Sequence, residues 1–200
     1  MSEFSFREPR PTDGLLVGRL DAPLHLGELS SRVAVLEAGV KGALDPSRLS
    51  PDGRPIVEDL VGDDGGLYAR LVLLAQGLGY AVVDDDALTK DILRDGRKGL
   101  NMEFYSGPTL MIKQGPPLQM AATLGHEIGH HWTPDIYDEE SCAFAETVAE
   151  GAAFVVCHYN GLDLSPQVFP YIAGYNNGIF TTASKGAIQD IGTAMIGAMR

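Results

Sequence analysis

Along most of the chain apolar residues recur at three- and four-residue intervals, and only briefly at two, so the pattern predicts several helices with a small sheet. Leu26 to Leu44 and Gly66 to Gly79 read as helices, the second closed by glycine. Between them "DPSRLSPDGRP" is a turn-rich connection. "YAVVDDD" is a strand, Ala87 to Gly96 a short helix, and "LNMEFYSG" and "TLMIKQG" are two strands joined through Gly107 and Pro108. "PPLQMAATLGHEIGHHW" opens with prolines suited to a first helical turn, and Pro134 should end it near Thr133. "EESCAFAETVAEGAAFVVCHY" is a second strong helix with Asp138 as its N-cap, and "SPQVFPYIAGY" and "TTASKGAIQDIGTAMIGAM" supply the last helical pieces. Ahead of all these, Met1 to Gly14 reads as an irregular arm and "LLVGRL" as a short strand. The class these elements define is α+β, with no internal repeat.

Composition narrows what such a chain does. At 200 residues with 44% hydrophobic residues it can bury one good core, which favours a single domain over 1–200. Within it, residues 1–60 form an N-terminal region without a clear signature, ahead of a core in residues 61–200. A formal charge of -12 and the lack of any long basic run argue against gripping nucleic acid through its phosphates. The acidic groups "GDDGG", "DDD" and "DEE" sit beside turns or helix starts, where they read as solvated loops and favourable first-turn charges. Cys142 and Cys157 lie about four turns apart on one predicted helix and cannot bridge each other. With no apolar run of membrane-spanning length and no signal-like start, the expected compartment is the cytoplasm.

The chemistry concentrates in "TLGHEIGHHWT", which holds three of the five histidines. His126 and His130 stand four apart, so on a helix they project from nearly the same side, one turn above the other, and can share one ion. Glu127 lies beside that stripe as the general base of an HExxH arrangement. Gly125 and Gly129 strip side chains from one flank, where another helix could approach closely. A catalytic zinc needs a third protein ligand. Glu146 and Glu150 share a face of the next, largely apolar helix, where two carboxylates are costly unless something positive compensates them. Glu146 is therefore assigned as third ligand and Glu150 as the partner that orients a ligand histidine, with the reverse assignment open. His131 points about 100° away from His130 and is left out, His158 is treated alike, and His25 is unplaced.

"TLGHEIGHHWT" resembles the "TLxHExxHxxT" segment of the gluzincin-type ImmA/IrrE and ArdC-like metallopeptidases of bacteria, phages and mobile elements. "ETVAEGAAFVVCHYNGLD" followed by "FPYIAGY" resembles their "ExxAExxAxxVC" helix and the aromatic segment after it. The likeness covers roughly Thr109 to Met199. It implies a zincin-like core, a small antiparallel or mixed sheet packed on an active-site helix with further C-terminal helices. It also implies Zn2+ held by His126, His130 and Glu146, with Glu127 as base. The basic single-strand DNA-binding domain of ArdC proteins has no counterpart in this acidic N-terminal half.

Two functions follow as expectations. One is a zinc metallopeptidase that hydrolyses a specific protein, such as a regulator, in a bacterial, phage or mobile-element setting. The other is a zincin-fold binding or antirestriction-like protein whose metal site is structural or vestigial; a purely structural role has no need of Glu127. In the first, Tyr171 is the leading oxyanion donor, ahead of Tyr175, Tyr159 and Tyr137, and "TLMIKQG" is the strand expected to offer a sheet edge to an extended substrate.

Overall fold

The computed structural model describes residues 26–86, 98–104, 107–133, 139–176 and 178–200. The arm at 1–14, the strand at 15–20, His25, the short helix at 87–96, Tyr137 and the Asp138 cap lie outside them. Among the described residues are six α-helices and one mixed three-stranded sheet, an α+β arrangement.

Helix α1 (Leu26–Ala43) buries Leu29, Val33, Leu36, Val40 and Ala43, a stripe at three- and four-residue spacing. Beside that stripe lie Glu28–Arg32 and Glu37–Lys41 pairs, each one turn apart, with Arg32 half-buried. Helix α2 (Leu67–Gly77) has Gly66 at its N-cap position, and just before it Asp64 accepts the Tyr68 N–H at 2.6 Å through Oδ2 and the Gly66 N–H at 3.2 Å through Oδ1. That aspartate is buried and bonded to the first turn of α2, not part of a solvated acidic loop. Gly79, at φ 89, turns the chain out of α2 in a conformation that favours glycine.

Strands β1 (Ala81–Val83), β2 (Gly99–Phe104) and β3 (Gly107–Ile112) form a sheet in the order β1-β3-β2. β1 pairs with β3 in parallel, Val82 opposite Leu110, and β2 pairs with β3 antiparallel, Leu100 opposite Met111. The strand expected at the edge, β3, is thus in the centre, where both its sides are already paired. The edge beside the HExxH helix belongs to β2. Leu110 and Ile112 are buried and join the core beneath the sheet.

Four helices complete the chain: α3 (Pro117–Gly129), α4 (Glu139–Tyr159), α5 (Ser165–Asn176) and α6 (Thr182–Ala198). Prolines 116 and 117 start α3, and a reciprocal Thr181–Ser184 capping box starts α6. Helix α4 contacts α1, α3, α5 and α6 and is apolar nearly all round, as a helix at the centre of a helical layer must be. Against α3 it packs closely through small residues. A Cβ added at Gly125 would touch that of Ala153 at 3.4 Å, and one at Gly129 would lie 3.0 Å from the Ala149 Cα. Both cysteines are free. Among the described residues no helix is long and apolar enough to cross a membrane.

Candidate metal centre

The close α3–α4 contact sets one helix against the other in antiparallel register, with Glu150 opposite His126 and Glu146 opposite His130. His126 is in the last turn of α3, and His130 is its C-cap, still in helical conformation with its N–H bonded to the His126 carbonyl. The two imidazoles therefore converge. Their Nε2 atoms lie 3.0 Å apart, and the Glu146 carboxylate stands 3.5 Å from each, through Oε2 to His126 and Oε1 to His130. His126, His130 and Glu146 each present one ligand atom, all within 4.8 Å of one another, and this group could hold a metal ion.

The outward ring nitrogens are also committed. His126 Nδ1 is 2.6 Å from Glu150 Oε2. The Thr133 hydroxyl donates to the His130 carbonyl at 3.1 Å, which leaves its lone pair to accept the His130 Nδ1–H at 3.2 Å. A proton held on each Nδ1 leaves each Nε2 lone pair aimed at the common point between the rings, the tautomer a cation requires. The sequence reading gave Thr133 no role. Its signal was its place as the closing threonine of the "TLxHExxHxxT" likeness, three residues beyond the second histidine.

Charge in the pocket is strongly coupled. Burial alone would lower the pKa of His126, but the Glu150 hydrogen bond and the Glu150, Glu127 and Glu146 charges outweigh it and lift it to about 9. Burial pushes Glu127 up, against the pull of His126 and His130. At Glu146 burial is the largest influence and acts upward, yet the two histidines and the Tyr171 hydroxyl together hold the carboxyl below its usual range.

Glu127 is 8% exposed and lies one position round the helix from His126. Tyr171, on α5, closes the other side: its hydroxyl donates to Glu146 Oε2 at 3.3 Å and lies 3.4 Å from the Tyr175 hydroxyl. Its ring is edge-on to His126, centroids 6.5 Å apart. Burial, the Tyr175 contact and Glu146 all raise its pKa, so the phenol keeps its proton. The other described histidines and Tyr159 are elsewhere. His131 is buried with Nδ1 3.1 Å from the Tyr80 hydroxyl, while His158 and Tyr159 both pack against Arg32.

Comparison of the chain with protein-family models, with curated proteins and with solved structures finds no match. The functional reading therefore stands on the geometry of these side chains.

Proposed function

We propose that the chain is a zinc-dependent metallopeptidase with a zincin-like core that hydrolyses a specific protein substrate. The observation that carries this reading is the triangle of two Nε2 atoms and one carboxylate, with a buried glutamate adjacent in sequence to the first histidine. Ligands about 2.0–2.1 Å from a tetrahedral zinc lie roughly 3.3 Å from one another, and sides of 3.0, 3.5 and 3.5 Å fit that spacing. Two imidazoles and a carboxylate are also a donor set suited to zinc, with a position left open for chemistry.

When bound, Zn2+ supplies a Lewis acid that acidifies water and polarises a peptide carbonyl. The protein's own groups do the rest. Glu127 accepts the proton of the attacking water and hands it to the departing amine, a task favoured by its raised pKa. The protonated Tyr171 hydroxyl donates to the oxygen that gains negative charge. Glu150 and Thr133 hold the two ligand rings in place.

The unpaired side of β2, among the described residues, supports an extended substrate. Lys98 accepts the Lys113 N–H at 2.8 Å, which makes 98–113 a hydrogen-bonded pair and leaves the N–H and C=O of Gly99 and Asn101 turned outward. A peptide strand laid there would bond those groups beside Glu127. Glu127 also weighs against a purely structural or vestigial site, which would not need a buried base.

The test is co-expression of the chain with the host or phage proteome, wild type beside Glu127→Gln, followed by quantitative proteomics. A defined protein should disappear with wild type and persist with the variant. Identical cleavage patterns in the two would overturn the mechanism.

A further inference from the structure

Gly99 presents a feature that its backbone conformation does not explain, because its φ lies outside the left-handed region. What it lacks is room. A Cβ at this position would sit 2.6 Å from Thr123 Cγ2, 2.7 Å from Glu127 Oε1 and 2.9 Å from Glu127 Cγ, each well inside van der Waals contact. The first residue of β2 therefore has its backbone laid directly on the side chain of the glutamate next to the metal ligands.

That strand cannot easily retreat. On one side Lys98 is held by the ladder to Lys113. On the other its ammonium donates to Asp59 Oδ1 at 2.7 Å, Gln119 Oε1 at 2.9 Å and Gln167 Oε1 at 3.2 Å, so its three protons are all used. These acceptors belong to three separate segments: the loop before α2, helix α3 and helix α5. Gln119 is further fixed, since its Oε1 also accepts the Leu60 N–H at 3.2 Å. The Glu127 carboxylate, by contrast, is held by no hydrogen bond among the described residues. A side chain added at residue 99 would meet both Thr123 and Glu127, and of these the carboxylate, at the end of a flexible chain, would give way before the pinned strand.

We propose that Gly99, pinned by Lys98, is a positioning residue: its bare backbone is the wall that fixes where the Glu127 carboxylate stands relative to His126 and His130. This rests on the reading of Glu127 as proton acceptor, and the test separates the two. Purified full-length wild type, Gly99→Ala and Glu127→Gln are loaded with Co2+, and binding of acetohydroxamate is followed by calorimetry and by the visible spectrum of the metal. A hydroxamate must give a proton to a carboxylate in the right place, and losing one charge-assisted hydrogen bond costs about tenfold in affinity.

The expected result is about one Co2+ per chain in all three proteins, with hydroxamate affinity lowered about tenfold in both Gly99→Ala and Glu127→Gln. Should Gly99→Ala unfold, the same substitution in a Thr123→Ser background removes the Cγ2 contact and keeps those with Glu127; the same loss is expected there. If Glu127→Gln weakens the hydroxamate while Gly99→Ala in either background does not, the positioning role is wrong and the base survives. If Glu127→Gln has no effect, or no variant binds the metal, the reading of Glu127 falls and takes the positioning role with it.

Discussion

His126, which faces α4, and His158, which belongs to it, sit in opposite electrostatic settings, and the contrast shows why only one of these regions reads as a metal centre. His126 meets α4 from the side, where Glu150 bonds its Nδ1 and Glu146 faces its Nε2. His158 is part of α4. Its Nδ1 accepts from Arg32 Nη1 at 2.7 Å, and its ring stacks on Phe154 at 5.3 Å with the planes 12° apart. Carboxylates around the first make a net positive charge welcome; the guanidinium beside the second makes it costly. Burial and Arg32 accordingly lower the pKa of His158, whereas that of His126 is raised. A histidine becomes a ligand through what bonds its other nitrogen.

Removing those neighbours should have the larger effect at the first site. Glu150→Ala frees the His126 ring and leaves its Nδ1 without an acceptor, and should weaken Zn2+ binding about 10- to 100-fold in chelator competition. Arg32→Ala should leave the zinc affinity unchanged. Equal losses in the two variants would mean that zinc affinity follows general stability rather than orientation of the ligand.

A smaller effect sharpens the same contrast through pH. In the metal-free protein the folded pKa of His126, about 9, exceeds its ordinary value of 6.5. Its contribution to stability is therefore fully present below about pH 6.5 and is lost as pH rises through about 9. His158 is shifted the other way, so its contribution is present above about 6.5 and is lost as pH falls through its depressed value; solvent around the ring makes this slope the shallower one. Urea unfolding of the metal-free protein from pH 5 to 10, with His126→Gln and His158→Gln alongside, should show each variant flattening a different end of the profile. Both variants flattening the alkaline end would invalidate the opposed settings.

The described helices and strands and the four-residue spacing of the site are legible in the sequence because each depends on local periodicity. Gly125 and Gly129 announce a close helix contact, and Ala153 and Ala149 make it. The division of labour between Glu146 and Glu150 is harder to read, since residues four apart share one face of a helix and only the register of α4 against α3 tells them apart. Strand order is harder still. The partner that places β3 in the centre, β1, comes from far upstream and pairs in parallel, and alternation along "TLMIKQG" carries no trace of it. Gly99 and Thr133 were hidden for a related reason: one acts through a missing side chain and the other through a turn beyond the end of α3.

Zinc content of the purified full-length chain, measured by atomic emission after exhaustive dialysis, tests the metal centre most directly. Wild type and Glu127→Gln should each retain about one zinc per chain, because the base is not a ligand, while His126→Ala should retain none. A wild-type protein that is folded but takes up no zinc, or a His126→Ala variant that keeps it, would contradict the site.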